Sequence, residues 1–543
     1  MNGLGATPAR GPRLGTVLGL LAILGCALAA MVIEQQMIGW NEKSHFAQVR
    51  AFDHGTPIID AYHKSTGDRA FYHGHFYSDK APGMAFLLTP IYHLIRLLGI
   101  VNPVGKGMIH LLVVFACVLP VAITLLLAYR LVERGDPGQG AAVAVTLGLG
   151  TLLLPFATIL FSHVLSAALG FGAFYLLWRE RERGGGLWPI AAAGLLAGYA
   201  VGVEYPLALL AGLLGLFVIA RRKPIKPALA YGAGLVVGLL PLLAYDWWAF
   251  GSPLHLSYSY VAANSSGVLG LGAPSLWNAL KLLISGRGLF VVTPVIAAAV
   301  AGIAVLYREG RRLEAIVAGT VAGAYFAYNC CYYLPFGGWV PGPRFLITAL
   351  PFLAVPLGAA YRRAPLATLA LAAISAATMV TATLTQPLLP ITTSTAKWTH
   401  LLDAGTLGTP GATVPVFAAL AVLAIAAAVR ATPRSRVTRR DLELTVLGVG
   451  SWFAMESGAQ PLLRHTPPGL SWSLGVLVLT AIALTTAVAY VARGRQLALL
   501  AGIPLIALAP WWFRHPTLIF CLAAALIGAL IASAPAHRIT RSA

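Results

Sequence analysis

Apolar runs of near membrane-spanning length recur from residue 14 to residue 534, separated by short polar segments that hold most of the Lys and Arg. Inside hydrocarbon every backbone N–H and C=O has to be satisfied within its own element, which leaves helices or a closed barrel. Barrel strands alternate polar and apolar positions, and these Leu/Ala/Val/Gly runs do not. The pattern therefore predicts an all-α polytopic membrane protein with about sixteen transmembrane helices.

Spans are expected near 14–34, 109–130, 141–159, 163–178, 187–203, 207–220, 228–247, 290–307, 313–330, 344–361, 366–385, 413–429, 441–456, 471–491, 496–510 and 517–534. With the N-terminus in the cytoplasm, the basic clusters fall on that same side: Arg130/Arg134, Arg179/Arg181/Arg183, Arg221/Arg222/Lys223/Lys226, Arg308/Arg311/Arg312, Arg362/Arg363, Arg430 to Arg440, Arg493/Arg495 and Arg538/Arg541. Segment 83–99, GMAFLLTPIYHLIRLLG, is apolar enough to cross, but crossing would flip every later basic loop. It is expected to be an interfacial or re-entrant helix with His93 and Arg96 toward polar surroundings. A long extracytoplasmic loop of 35–108 follows from that choice. The first apolar run, followed by Glu34-Gln35-Gln36 with no small-residue cleavage pattern, reads as an uncleaved helix.

Composition agrees with this picture: 58% of the 543 residues are hydrophobic and 10% charged, too few polar groups to coat a soluble domain. The formal charge of +20 is split into loop clusters instead of one aromatic-lined stripe, so it marks topology and no nucleic-acid partner. The five cysteines lack ligand spacing and indicate neither zinc nor disulfides. Outer connections up to about residue 361 carry the aromatics and ionisable groups, and later ones are sparse. Residues 1–361 thus read as a catalytic module and 362–543 as scaffold or acceptor docking.

The first outer loop concentrates Glu42, Asp53, Asp60, Asp68, Asp79, His63, His73, His75 and Lys80 among Tyr, Phe and Trp, as suits the rim of a polar pocket at the membrane surface. In Ser78-Asp79-Lys80-Ala81-Pro82-Gly83 the proline and glycine hold Asp79 and Lys80 at a turn before a helix. Lys80 can hold a phosphate as a point charge; an ordinary surface ion pair is the alternative. Residues 42–52 can form an amphipathic helix with Phe46, Val49 and Phe52 toward the membrane. Glu42 would then project into the pocket as a general base, or else cap the helix. Further along, His163, Glu204-Tyr205, Tyr245-Asp246, Arg287 and Arg344 sit at outer helix ends. Ionisable groups so placed are costly unless paired or in a cavity, so each is a site candidate, with structural pairing as the alternative. The guanidinium forks of Arg287 and Arg344 suit a phosphate.

Asn41-Glu42 just after the first helix, Asp79-Lys80-Ala81-Pro82, and the stretches YDWWAFGSPLHLSY from Tyr245 and GPRFLITALPFLAVP from Gly342 resemble the GT-C superfamily of integral membrane glycosyltransferases. The likeness is to its protein mannosyltransferase and aminoarabinose transferase branch, and in layout it covers about residues 14–361. That resemblance implies a polyprenyl-phosphate sugar donor and an extracytoplasmic glycan, lipid or protein acceptor. It also implies inversion at the anomeric carbon and a donor presented from the outer leaflet; the Lys and Arg distribution places both termini in the cytoplasm, and the Arg and Ala bias suits a bacterial cytoplasmic (inner) membrane. Glu42, Asp53, Asp60 and Asp79 are then the catalytic candidates, and Lys80, Arg287 and Arg344 the donor-phosphate ligands. His75, Tyr77, His163, Glu204, Tyr205 and Tyr258 would contact substrate. The chain departs from the family's usual Asp at the first position of the acidic pair, where Asn41 stands. Family members differ in using a divalent cation (Mg2+, Mn2+ or Ca2+); the loop's Asp and His leave that open, with no HExxH-type spacing. The sugar, whether hexose, aminoarabinose or arabinofuranose, is not legible. A lipid flippase would bury charge at mid-membrane, and a polysaccharide polymerase or ligase would need a large second outer loop rich in Arg and His.

Overall fold

The computed structural model describes residues 14–35, 37–261, 270–388 and 438–455. The chain runs through α1 (Leu14–Met31), α2 (Trp40–Asp53), β1 (Arg69–Tyr72), β2 (His75–Ser78) and α3 (Gly83–Leu97). Next come α4 (Lys106–Gly135), α5 (Gly140–Leu149), α6 (Leu153–Ala157), α7 (His163–Arg183), α8 (Trp188–Val203), α9 (Leu207–Ile219) and α10 (Ile225–Phe250). After these lie α11 (Leu276–Ile284), α12 (Leu289–Val292), α13 (Val295–Arg308), α14 (Arg312–Cys331), α15 (Arg344–Arg363), α16 (Pro365–Thr385) and α17 (Arg439–Ala454).

The protein is a largely helical membrane protein. Among the described residues α4, α10, α15 and α16 are each long and apolar enough to cross, and α11 to α13 add a fifth if counted as one span bent by 93°. Helices α5, α8 and α9 are shorter apolar segments. Leu20, Leu21, Leu24 and Leu28 on α1, and Val236, Val237 and Leu240 on α10, are exposed, as lipid-facing positions are. The spans expected near 413–429, 471–491, 496–510 and 517–534 lie outside the described residues. Three expected continuous spans are interrupted for local reasons. Segment 141–159 stops at Gly150, the 290–307 segment breaks at Thr293-Pro294, and α15 opens as a 3-10 helix up to Leu353, with Pro351 lacking the N–H an α-helix needs.

The basic loops meet on one face. Arg134 pairs with Glu182 at 2.9 Å, and Arg221 with Glu180. The buried Asp136 takes Arg311 at 2.7 Å and Arg362 at 2.6 Å, and Glu309 takes Arg362 and Arg363. Asp441 receives the N–H groups of Leu366 and Ala367, which brings the start of α17 to the same face. These pairs join loops far apart in sequence.

Helices α2 and α3 and the hairpin lie at the opposite end. At 15 residues and 1.5 Å per residue, α3 reaches about 22 Å, short of a hydrocarbon core of about 30 Å. Met84, Leu88 and Tyr92 of α3 face the core, Leu87, Leu94 and Leu97 are exposed, and His93 and Arg96 reach Asp53 at 2.6 and 3.1 Å. Phe46, Val49 and Phe52 do not face lipid as expected. Phe46 packs on Tyr92, Val49 is fully buried, and Phe52 stacks on Phe86 beside Tyr245. The hairpin is a departure from the all-α expectation. His73 and Gly74, with φ of 48° and 88°, form a two-residue turn whose twist suits paired strands.

Helices α8 and α10 touch through glycine. A Cβ on Gly194, Gly198, Gly234 or Gly238 would lie 2.0–2.3 Å from a carbonyl oxygen of the facing helix. Such close approach is the usual means of holding membrane helices together where no hydrophobic drive separates helix from lipid.

Candidate active site

Ser44 and Gln48, one turn apart on α2, grip the turn that carries Lys80. Ser44 Oγ donates to the Asp68 carbonyl (2.6 Å) and lies 2.8 Å from Ser78 Oγ, which in turn accepts the Lys80 N–H. Gln48 donates to the Lys80 carbonyl. From the α8–α9 junction and the segment after α10, Tyr205 OH meets Ser257 Oγ at 3.0 Å, and Ser257 donates to the Asp79 carbonyl.

Lys80 Nζ lies 2.8 Å from Asp68 and 3.1 Å from Asp79. Burial works against its charge and the two carboxylates outweigh it, holding the ammonium above its usual value. Burial raises Asp79, against the pull of Lys80. Asp68, less buried, is lowered by Lys80 despite its burial. The ammonium therefore sits between two carboxylates at the edge of the pocket that Lys80 lines. Asp68 was not a site candidate from sequence. The hairpin register pairs Arg69 with Ser78, and one step further sets Asp68 opposite Asp79.

The pocket brings Lys80 together with Asn41, Ser162, His163, Glu204, Tyr205, Tyr258, Arg344 and Phe345. Six of the sequence-predicted residues therefore share one cavity. His163 Nδ1 contacts Glu204, whose other oxygen accepts from Ser166 Oγ at 2.8 Å. Tyr258 meets Tyr205 edge to face at 5.0 Å. Arg344 lies against Phe345 and Phe161 and makes no ion pair among the described residues. Gly337, at φ 81°, makes room for it, since a Cβ there would lie 2.3 Å from Arg344 Nε. His45 is buried below, and burial, with Lys80, His163 and Arg344 nearby, keeps its imidazole well below the usual value and neutral.

The other candidates are placed elsewhere. Glu42 does not project into the pocket. It is buried, with Oε2 accepting Gly39 N–H at 2.7 Å and Oε1 accepting Leu160 N–H at 3.2 Å, so it caps α2 and ties it to the segment before α7. Asp53 joins α2 to α3, as described above. Asp60 closes the hairpin by accepting from His75 (2.7 Å) and Phe76 N–H (2.6 Å), which leaves His75 exposed. Tyr77 packs on Phe250. Arg287 gives Nη1 to the carbonyls of Gly338 and Val340 and lies over Phe336, bracing the loop that precedes Arg344. Among the described residues no three His, Cys, Asp or Glu gather as a metal-ligand group.

Burial pushes Glu42 up to about 7 from an ordinary 4.5, against the two N–H groups and Lys43. A carboxyl raised on folding stabilises most below its unfolded value, and that contribution is lost as pH rises through the folded one. The stability advantage of the unchanged protein over Glu42→Gln should therefore shrink between pH 4.5 and 7, as read by melting temperature in detergent. Activity of the variant should stay within a few-fold.

No protein-family model matches the chain, and no curated protein matches it. Among solved structures it is similar to ArnT from Cupriavidus metallidurans bound to undecaprenyl phosphate, at 12% identity and a TM-score of 0.47. It is also similar to the apo state of that protein, at 13% and 0.44. Each alignment covers 95% of this chain and 76% of the other.

Proposed function

We propose that the protein is a membrane glycosyltransferase that moves a hexose or pentose from a polyprenyl-phosphate donor to a hydroxyl of a glycan, lipid or protein acceptor, with inversion. The observation that carries this reading is the shared pocket of Lys80 and Arg344, the latter in no ion pair among the described residues, opening at the end of an apolar bundle. By the distribution of Lys and Arg, that end faces away from the bacterial cytoplasm. Residues 1–361 would supply the chemistry, and residues 362–543 a scaffold or acceptor dock.

In this reaction the acceptor oxygen attacks the anomeric carbon, the bond from that carbon to the phosphate oxygen breaks, and polyprenyl phosphate departs. A phosphate needs no acid to leave, so two glycosidase-like carboxylates are not required. Charge grows on the leaving oxygen, where the ammonium of Lys80 and the fork of Arg344 stabilise it. The prenyl chain would lie along the exposed apolar helix faces.

Binding of undecaprenyl phosphate and of neutral undecaprenol to the purified protein, compared by native mass spectrometry, tests this. The phosphate should bind more tightly, and Arg344→Ala should weaken it about 10- to 100-fold while leaving the alcohol unchanged. Equal binding of both lipids, or no effect of the variant, would contradict the reading.

A further inference from the structure

The reaction needs a proton acceptor, and the loop carboxylates are committed. Both oxygens of Glu42 hold backbone amides, Asp68 and Asp79 neutralise Lys80, and Asp53 and Asp60 hold His93, Arg96 and His75 in place. Asn41, which does line the pocket, has no basic atom.

The pocket wall offers another group. His163 and Glu204 both line it, Nδ1 of the imidazole faces a Glu204 oxygen, and Ser166 holds the other oxygen at 2.8 Å. His163 is 4% exposed, and its Nε2 has no hydrogen-bond partner among the described residues. With its proton on Nδ1 and donated to Glu204, the ring keeps a lone pair on Nε2. Phe156, Phe161 and Phe345 pack around the imidazole and fix its plane. Of the pocket's ionisable side chains, Lys80 and Arg344 are cations, Tyr205 and Tyr258 are phenols, and Glu204 is engaged on both oxygens.

We infer that His163, oriented by Glu204, is the general base that takes the proton of the acceptor hydroxyl. This rests on the glycosyltransferase reading. The acceptor O–H proton passes to His163 Nε2 as the oxygen bonds to the anomeric carbon, and the bonding pair of the cleaved bond leaves with the phosphate. Glu204 stabilises the resulting imidazolium and is a positioning residue. The charged and titratable groups facing His163 are Glu204 from the α8–α9 junction, Lys80 from the turn before α3, Arg344 from the start of α15 and His45 from α2.

The test is steady-state transfer from a radiolabelled polyprenyl-phosphate sugar as a function of pH, with undecaprenyl phosphate binding measured on the same preparations. His163→Gln should lower kcat by about 10²- to 10⁴-fold with lipid affinity kept within a few-fold. In its residual activity the loss of rate toward acid pH should vanish. Glu204→Gln, which leaves the ring in place, should lower kcat less and keep an acid limb, displaced from its original position. Transfer by His163→Gln within a few-fold of the unchanged protein, or an unmoved acid limb in that variant, would overturn the inference and leave the glycosyltransferase reading standing. Absence of transfer by the unchanged protein would overturn both.

Discussion

Lys80→Met should lower the rate of sugar transfer by about 10²- to 10³-fold, the usual cost of removing one preorganised donor from a developing anion. Methionine keeps an unbranched apolar stem of nearly the same length while removing the ammonium and its donors. The same substitution strands Asp68 and Asp79, which share the ammonium at 2.8 and 3.1 Å. Breaking a buried ion pair from one side typically costs about 3–5 kcal/mol. Melting temperature should fall with activity, and Asp79→Asn added to Lys80→Met should recover part of the stability and none of the rate. Recovery of both would mean that Lys80 is structural.

Gly198→Val should be the most damaging change far from the pocket. Its Cβ position lies 2.2 Å from the carbonyl oxygen of Leu235, and backbone cannot yield as a flexible side chain can. Overpacking of this kind costs about 1–3 kcal/mol and sometimes more. The functional loss follows from position: α8 ends at Val203, and Glu204 is the next residue. A shift of about 1 Å at a reacting group can cost about 10²-fold in rate. Gly212 on α9, whose Cβ would meet nothing within 4 Å, provides the control. Gly212→Val should leave both melting temperature and transfer near their original values.

The largely helical membrane character and the four or five spanning-length helices among the described residues were legible because their signals are local and additive. Apolar runs gave the elements, and the placement of Arg and Lys predicted loops that the structure ties together through Asp136, Glu309, Glu180 and Glu182. Segment 83–99, expected not to cross, forms the 15-residue α3, one of the shorter apolar helices. The hairpin was missed because its signal is only two residues, His73-Gly74, and without its register nothing set Asp68 beside Asp79. Glu42 and Arg287 were misplaced for a shared reason. Each spends its polar atoms on backbone groups of segments distant in sequence, Leu160 for one and Gly338 and Val340 for the other. A buried charge bound to backbone and one facing a cavity carry the same letter in a sequence. What separates them is where the free backbone amides and carbonyls fall after folding.

The most direct measurement is transfer by the protein in proteoliposomes, against a panel of radiolabelled polyprenyl-phosphate sugars with crude envelope acceptor and with transbilayer movement of the label followed in parallel. One donor should be consumed, polyprenyl phosphate should be released in step with sugar transferred, and Lys80→Met should lower both by about 10²- to 10³-fold. Movement of labelled lipid between leaflets with no donor consumed under any acceptor condition would make the pocket a transport site and contradict the glycosyltransferase reading.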